Sequence, residues 1–266
     1  MKSTVDCKLA TVNRKLLTVA NFPKIILLMN TKQPVSALAF LQSSSLPMLV
    51  QEEIERLIMT GELPVGSRIN ESELAQRFNT SRGPIREALR ALEEAGLVRT
   101  EKNRGMFVRE IAFEEAEEIY ELREALEEVI GRRAALAVTP AGIERLKAMV
   151  EAMRAAAQAQ ELEQYAQLNL QFHDILLDTA GSAKLTETYQ RLIKELSLFR
   201  MRALDGGGGL RVSADEHREI VDALASGEPE HAARVMRQHV AGSRERMHKA
   251  LGREPVADTS LSTKEA

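Results

Sequence analysis

Little but helix is open to the second half of this chain. From Phe113 to Ala250 apolar residues recur at three- and four-residue spacing, and the rhythm breaks only at Pro140, Gly181, Gly206 to Gly209 and Gly227/Pro229. Six helices follow, at about 113–137, 140–158, 161–179, 182–203, 211–226 and 229–250. Strand signals are nearly absent, so the spacing predicts an antiparallel all-helical bundle. The four consecutive glycines are not followed by Gly-Lys-Ser/Thr, which reads as a flexible connector rather than a phosphate loop.

The preceding segment is punctuated differently. Val50, Ile54, Leu57 and Ile58 share one helical face, and that pattern stops at Gly61, Pro64 and Gly66. Asn70, three residues before Glu73, is a capping-box variant opening a short helix through Leu74, Ala75 and Phe78. Asn79 suits a left-handed turn, and Thr80 or Ser81 can cap a third helix from Arg82 to Glu94, with Pro84 in its first turn and Gly96 beyond its end. Two β-type stretches, Leu97 to Arg99 and Met106 to Val108, flank a polar turn of Asn103, Arg104 and Gly105. Three helices and a hairpin make a winged helix-turn-helix. In the third helix Ile85, Ala88, Leu89 and Leu92 fill one face while Arg82, Arg86 and Arg90 form a stripe beside it. Such arginines clamp phosphate, or bond guanine bidentately in a major groove. A solvated helix with charge pairs would show the same stripe, so the stripe alone does not decide.

Charge is divided unevenly along the chain. The total is near neutral, with 36 Lys+Arg against 39 Asp+Glu, yet residues 1–45 hold six cations and one acid. Pro23, Pro34, a Ser43-Ser44-Ser45 run and the lack of any sustained period mark this stretch as a basic, disordered extension or an over-extended start, with Met29 or Met48 as alternative starts. The lone Cys7 excludes an intramolecular disulfide and favours a reducing compartment. No unbroken apolar run is longer than that from Ile25 to Met29, which is far too short for a membrane span. A cytoplasmic protein with no membrane partner is expected.

All five histidines lie in the helical half. His217 falls in a stripe with Ile220, Val221 and Leu224, His239 with Ala232, Val235 and Met236, and His173 at the edge of the Leu168/Phe172/Leu176 face, four residues after Asn169. His231 and His248 project away and are expected at the surface. A buried imidazole must satisfy both nitrogens; a single one does so as a hydrogen-bonded core residue, whereas three on three helices would be satisfied together by converging on a divalent metal. Three neutral imidazoles suit zinc, with nickel or manganese as alternatives, and leave a coordination position open. Three histidines with an open position also describe a metal-dependent hydrolase. No inward Glu or Asp is evident as its general base, however, and an enzyme has no use for a winged helix-turn-helix.

The run Asn70-Glu71-Ser72-Glu73-Leu74-Ala75, then Ser81-Arg82-Gly83-Pro84-Ile85-Arg86-Glu87-Ala88-Leu89, Glu94-Ala95-Gly96-Leu97-Val98 and Arg104-Gly105 resembles the DNA-binding domain of the GntR family of bacterial transcription factors. The resemblance implies operator contacts by Arg82 and Arg86 and a wing tip, Arg104 and Gly105, in the minor groove. Ser81 and Arg90 join that surface, as does Ser72, which stands where better-known members carry an arginine; the wing turn is about two residues longer than theirs. The order Asn169-x-x-x-His173, His217, His239 resembles the family's FCD effector domain, with six helices as in its VanR subgroup. That implies metal ligation by Asn169, His173, His217 and His239. Many members carry Asp at the first position, so this site is expected to lack an anionic protein ligand and to draw its countercharge from an anionic effector. Arg123, in the pattern Leu122-Arg123-x-x-Leu126-Glu127, either binds that carboxylate or pairs with a Glu on a solvated face. The expected protein is mainly α: extension 1–45, winged helix-turn-helix 46–110, FCD-like effector-binding and dimerisation domain 111–252, and a disordered tail 253–266. Its expected function is a regulator of transcription, a repressor, binding a pseudo-palindromic double-stranded operator as a homodimer and answering to a small organic acid.

Overall fold

The computed structural model describes residues 45–203 and 209–253. The basic extension (Ser45 excepted), Cys7, the glycine run up to residue 208 and the tail beyond Arg253 lie outside the described residues. Helix α1 (Leu46–Met59) buries Val50, Ile54, Leu57 and Ile58, the face its spacing defines. Strand β1 (Arg68–Ile69) leads into α2 (Glu71–Arg77), α3 (Arg82–Glu94), β2 (Val98–Glu101) and β3 (Gly105–Val108). The Asn70 side chain accepts hydrogen bonds from the Ser72 and Glu73 backbone N–H groups, and Asn79 turns the chain at φ 50°. Ser81 occupies the N-cap of α3 without hydrogen-bonding it.

The sheet has three antiparallel strands in the order β1-β3-β2, one more than the hairpin the sequence suggests. Two residues cannot carry an alternating pattern; β1 forms because β3 offers its free edge, pairing Arg68 with Phe107 and Ile69 with Met106.

Six helices follow: α4 (Phe113–Ala137), α5 (Pro140–Ala159), α6 (Leu162–Ala180), α7 (Ala183–Ala203), α8 (Leu210–Ala225) and α9 (Pro229–Ala250). Thr139 caps α5, accepting from the Gly142 N–H, and Gly181 ends α6 in the left-handed conformation. Helices α4 and α9 approach so closely at Gly131 that a Cβ there would lie 2.8 Å from the Ala232 carbonyl oxygen.

Two apolar cores are joined through α7. Leu185 and Tyr189 belong to the core of the bundle, whereas Leu192, Leu196, Leu198 and Phe199 pack into the core that also holds Ile85, Leu89 and Leu92 of α3. The docking is reinforced by Lys194 with Glu55 of α1 at 2.8 Å, and by Arg109, which bonds the Gly96 carbonyl at 3.0 Å and faces Glu195 at 3.5 Å.

One expectation fails. His248 is 2 % exposed, its Nε2 lies 3.0 Å from Glu117 Oε1, and its ring meets Phe113 edge-on at 5.2 Å. Projection assumed one buried face along α9, but its last turns pack through a second face on the start of α4. Arg253, first residue of the expected tail, stacks its guanidinium 4.0 Å from the Phe113 ring centroid.

Candidate functional site

The outer surface of the N-terminal domain is set by the two faces of α3. Ile85, Ala88, Leu89 and Leu92 are buried, which leaves Arg82, Arg86 and Arg90 exposed. Ser72, Ser81, Arg104 and Gly105 are exposed too. Arg86 Nε is held 2.8 Å from Glu71 Oε2, whereas Arg82 and Arg90 have no ion-pair partner among the described residues. In the wing Arg104 pairs with Glu101 and lies 5.4 Å from the Phe107 ring centroid. Gly105 takes φ 100° with the Arg68 guanidinium beside it, a backbone conformation that favours glycine.

Inside the helical domain His173 (α6), His217 (α8) and His239 (α9) meet. Their ring centroids lie 5.5, 5.5 and 4.4 Å apart, and one nitrogen from each ring lies within 4.8 Å of the others. Each Nδ1 faces an oxygen: His217 Nδ1 is 2.6 Å from the Ser213 carbonyl, His239 Nδ1 2.9 Å from Glu216 Oε2, and His173 Nδ1 3.6 Å from Glu127 Oε2. Donation from Nδ1–H of His217 and His239 leaves their Nε2 with its lone pair. Nε2 of His173 and of His217 is buried without a partner. Burial pushes His173 and His217 down to about 3, and His239 well below its ordinary value, so all three rings are neutral near neutrality. Glu216 is itself clamped by Arg246, with Nη2 to Oε2 at 2.8 Å. Asn169 is half-buried one turn before His173 on the same side of α6.

Glu127 overturns the expectation that no acid points inward, and its Oε2 stands 3.6 Å from His173 Nδ1. It is fully buried, and its Oε2 has no hydrogen-bond partner. Its Oε1 accepts from Tyr189 OH at 2.6 Å and from Arg123 Nη2 at 3.0 Å. Arg123 therefore pairs with a glutamate, but in the interior and not on a solvated face. Burial alone would push its pKa down, and Tyr189 and Glu127 more than offset this, so it stays charged. The signal was in the sequence: Glu127 shares a helical stripe with Tyr120, Arg123, Ile130 and Ala134, all buried. Near Arg123, Arg200 bonds Tyr120 OH at 2.8 Å and Ser243 Oγ at 3.2 Å. A shallow groove at the α6–α7 turn, around Leu177, Gly181 and Gln190, shares no residue with this cluster.

An arginine-bearing winged helix-turn-helix, docked on a bundle that encloses a polar cluster, defines a regulator of transcription. Residues 49–108 match the bacterial regulatory proteins of the gntR family and residues 118–242 match the FCD domain. The chain is 33% identical over 193 residues, 72% of its length and 84% of the relative's, to the probable D-xylose utilization operon transcriptional repressor of Paenarthrobacter nicotinovorans. It is 28% identical to the HTH-type transcriptional repressor RspR of Escherichia coli (strain K12), over 66% of this chain and 77% of that one. The solved structure of E. coli McbR/YncC shares its fold at a TM-score of 0.68 and 20% identity, covering 77% of this chain and 98% of that one. The chain belongs to the GntR family of transcriptional regulators and carries an FCD domain; it is not an enzyme. Glu127 removes one argument against a hydrolase, but the family assignment stands without that argument.

Proposed function

We propose that this regulator is a cytoplasmic repressor whose hold on a pseudo-palindromic operator is set by a small organic acid bound beside a divalent ion in the FCD domain. Residues 46–110 would bind DNA, through Arg82, Arg86 and Arg90 with Ser72, Ser81 and the wing residues Arg104 and Gly105. Residues 111–252 would bind the effector and pair two copies. The observation that carries the reading is a buried set of unpartnered groups: His173 Nε2, His217 Nε2, and Nε and Nη1 of Arg123.

The residues fit a metal. Three neutral imidazoles, each backed on Nδ1 by an oxygen, are the donor set of zinc-type ions, with nickel and manganese also admissible. Asn169 would add a carbonyl oxygen. The ion, when bound, supplies positive charge and an open position to an acid; the chain orients the imidazoles through Ser213, Glu216 and Glu127 and holds Arg123 ready for the carboxylate.

Pairing is supported by α4. Leu122, Val129 and Leu136 are 55%, 41% and 75% exposed at seven-residue spacing, a line about 21 Å long on one helix face. Antiparallel packing of two α4 helices would set Leu122 against Val129 and bring Glu118 towards Arg133, opposite charges at opposite ends.

Elemental analysis tests the centre of the proposal. Wild-type protein and His231→Ala, altered at an exposed position, should carry one divalent ion per chain, and His217→Ala none. Equal metal in the two variants would overturn the site.

A further inference from the structure

Resting on the reading that an organic acid is sensed in the helical domain, we infer that this acid is a small dicarboxylate, one carboxylate taken by Arg123 and the other by Arg200. Arg123 is buried, and its Nε and Nη1, which carry three of the five guanidinium N–H donors, have no acceptor. Only Nη2 is engaged, by Glu127 and Tyr189. Buried donors left unmade are costly, and a ligand that accepts them recovers the cost.

Arg200, half-buried on α7, is the second cation. Its guanidinium carbon lies 5.8 Å from the Tyr120 ring centroid and that of Arg123 lies 5.7 Å from the same centroid, so one ring is flanked by both cations. The partners of Arg200 Nη2 are two neutral hydroxyls, on Tyr120 and Ser243, and among the described residues no carboxylate stands within ion-pair distance. Those hydroxyls orient the cation without neutralising it. Both charges reach their surroundings: burial would raise the Tyr120 phenol, but Arg200 and Arg123 outweigh it and lower the pKa.

The cluster is therefore short of negative charge. Glu127 pairs with Arg123, and Glu216, the other acid at the histidines, is held by Arg246. Two guanidiniums thus share one free-standing acid before any metal is counted, and a divalent ion widens the excess. A monocarboxylate brings a single negative charge to the two arginines. A short dicarboxylate brings one carboxylate to each, through charge-assisted hydrogen bonds.

The test is calorimetric titration of the full chain, zinc-loaded and chelator-treated, with straight-chain mono- and dicarboxylates of three to six carbons. The best dicarboxylate should bind about tenfold or more tightly than the monocarboxylate of equal length. Arg200→Gln should erase that preference and Arg200→Lys keep part of it, with thermal melts reporting that both variants fold. A monocarboxylate bound as tightly in wild-type protein, or an undiminished preference in folded Arg200→Gln, would overturn the dicarboxylate inference. The broader reading survives either result if Arg123→Gln abolishes monocarboxylate binding. Failure of every acid in both metal states would overturn both.

Discussion

The two halves of this regulator bury different things. Every buried charged or imidazole side chain among the described residues, namely Arg123, Glu127, His173, Glu195, His217, His239 and His248, belongs to the helical half, while the interior of the DNA-binding half is apolar. The contrast follows from the partners. A duplex is too large to enclose, so the chemistry that meets it sits outside on a plain apolar scaffold; a small acid can be enclosed, so its groups are turned inward at a cost in desolvation. Helix α7 belongs to both regimes, with Tyr189 on Glu127 at one level and Leu196, seven residues later on the same face, in the core beneath α3. With α4, whose Ile119 and Tyr120 lie in that same core, it links the polar cluster to the DNA-binding domain.

Acid should expose the difference most strongly. Burial holds His173 and His217 at about 3, below their ordinary 6.5, so the unfolded chain takes up protons that the folded chain refuses. Stability of chelator-treated protein is therefore fully present above about pH 6.5 and is lost towards pH 3, by about 1.4 kcal/mol per pH unit for each ring. Urea denaturation at a series of pH values measures the slope, and a flat profile would break the contrast. Glu127→Ala comes next: it strands the Arg123 guanidinium in the interior and should cost about 3–5 kcal/mol in a denaturant titration. Arg90→Ala, on the exposed face of α3, should stay within about 0.5 kcal/mol in the same measurement.

Gly131→Ala probes packing without charge. A methyl group placed 2.8 Å from the Ala232 carbonyl oxygen forces α4 from α9 and should cost about 1–3 kcal/mol. An unchanged melting temperature would mean that the two helices part freely. Arg86→Ala, the mildest for the fold, should cost about 1–3 kcal/mol of operator affinity in a footprinting titration at fixed salt, with stability unchanged. Equal protection by mutant and wild type would misplace the recognition helix.

Helix boundaries, the two faces of α3 and the inward turn of three histidines were legible in the sequence, because each is a local rule: periodicity, breakers and caps act over a few residues. The observed helices of the bundle begin and end within one residue of the bounds read from periodicity and breakers. Strand β1, the burial of His248 and the partners of Glu127 were decided by the fold. Each depends on a partner remote in sequence: the edge of β3 for Arg68 and Ile69, Glu117 for His248, and Tyr189 with His173 for Glu127. A charged side chain carries no sign of its own that it will be buried, since what makes burial tolerable is a counter-charge or hydroxyl on another helix. The sequence by itself determined which residues could turn inward; only the packing of α4 against α6, α7 and α9 decided which of them meet.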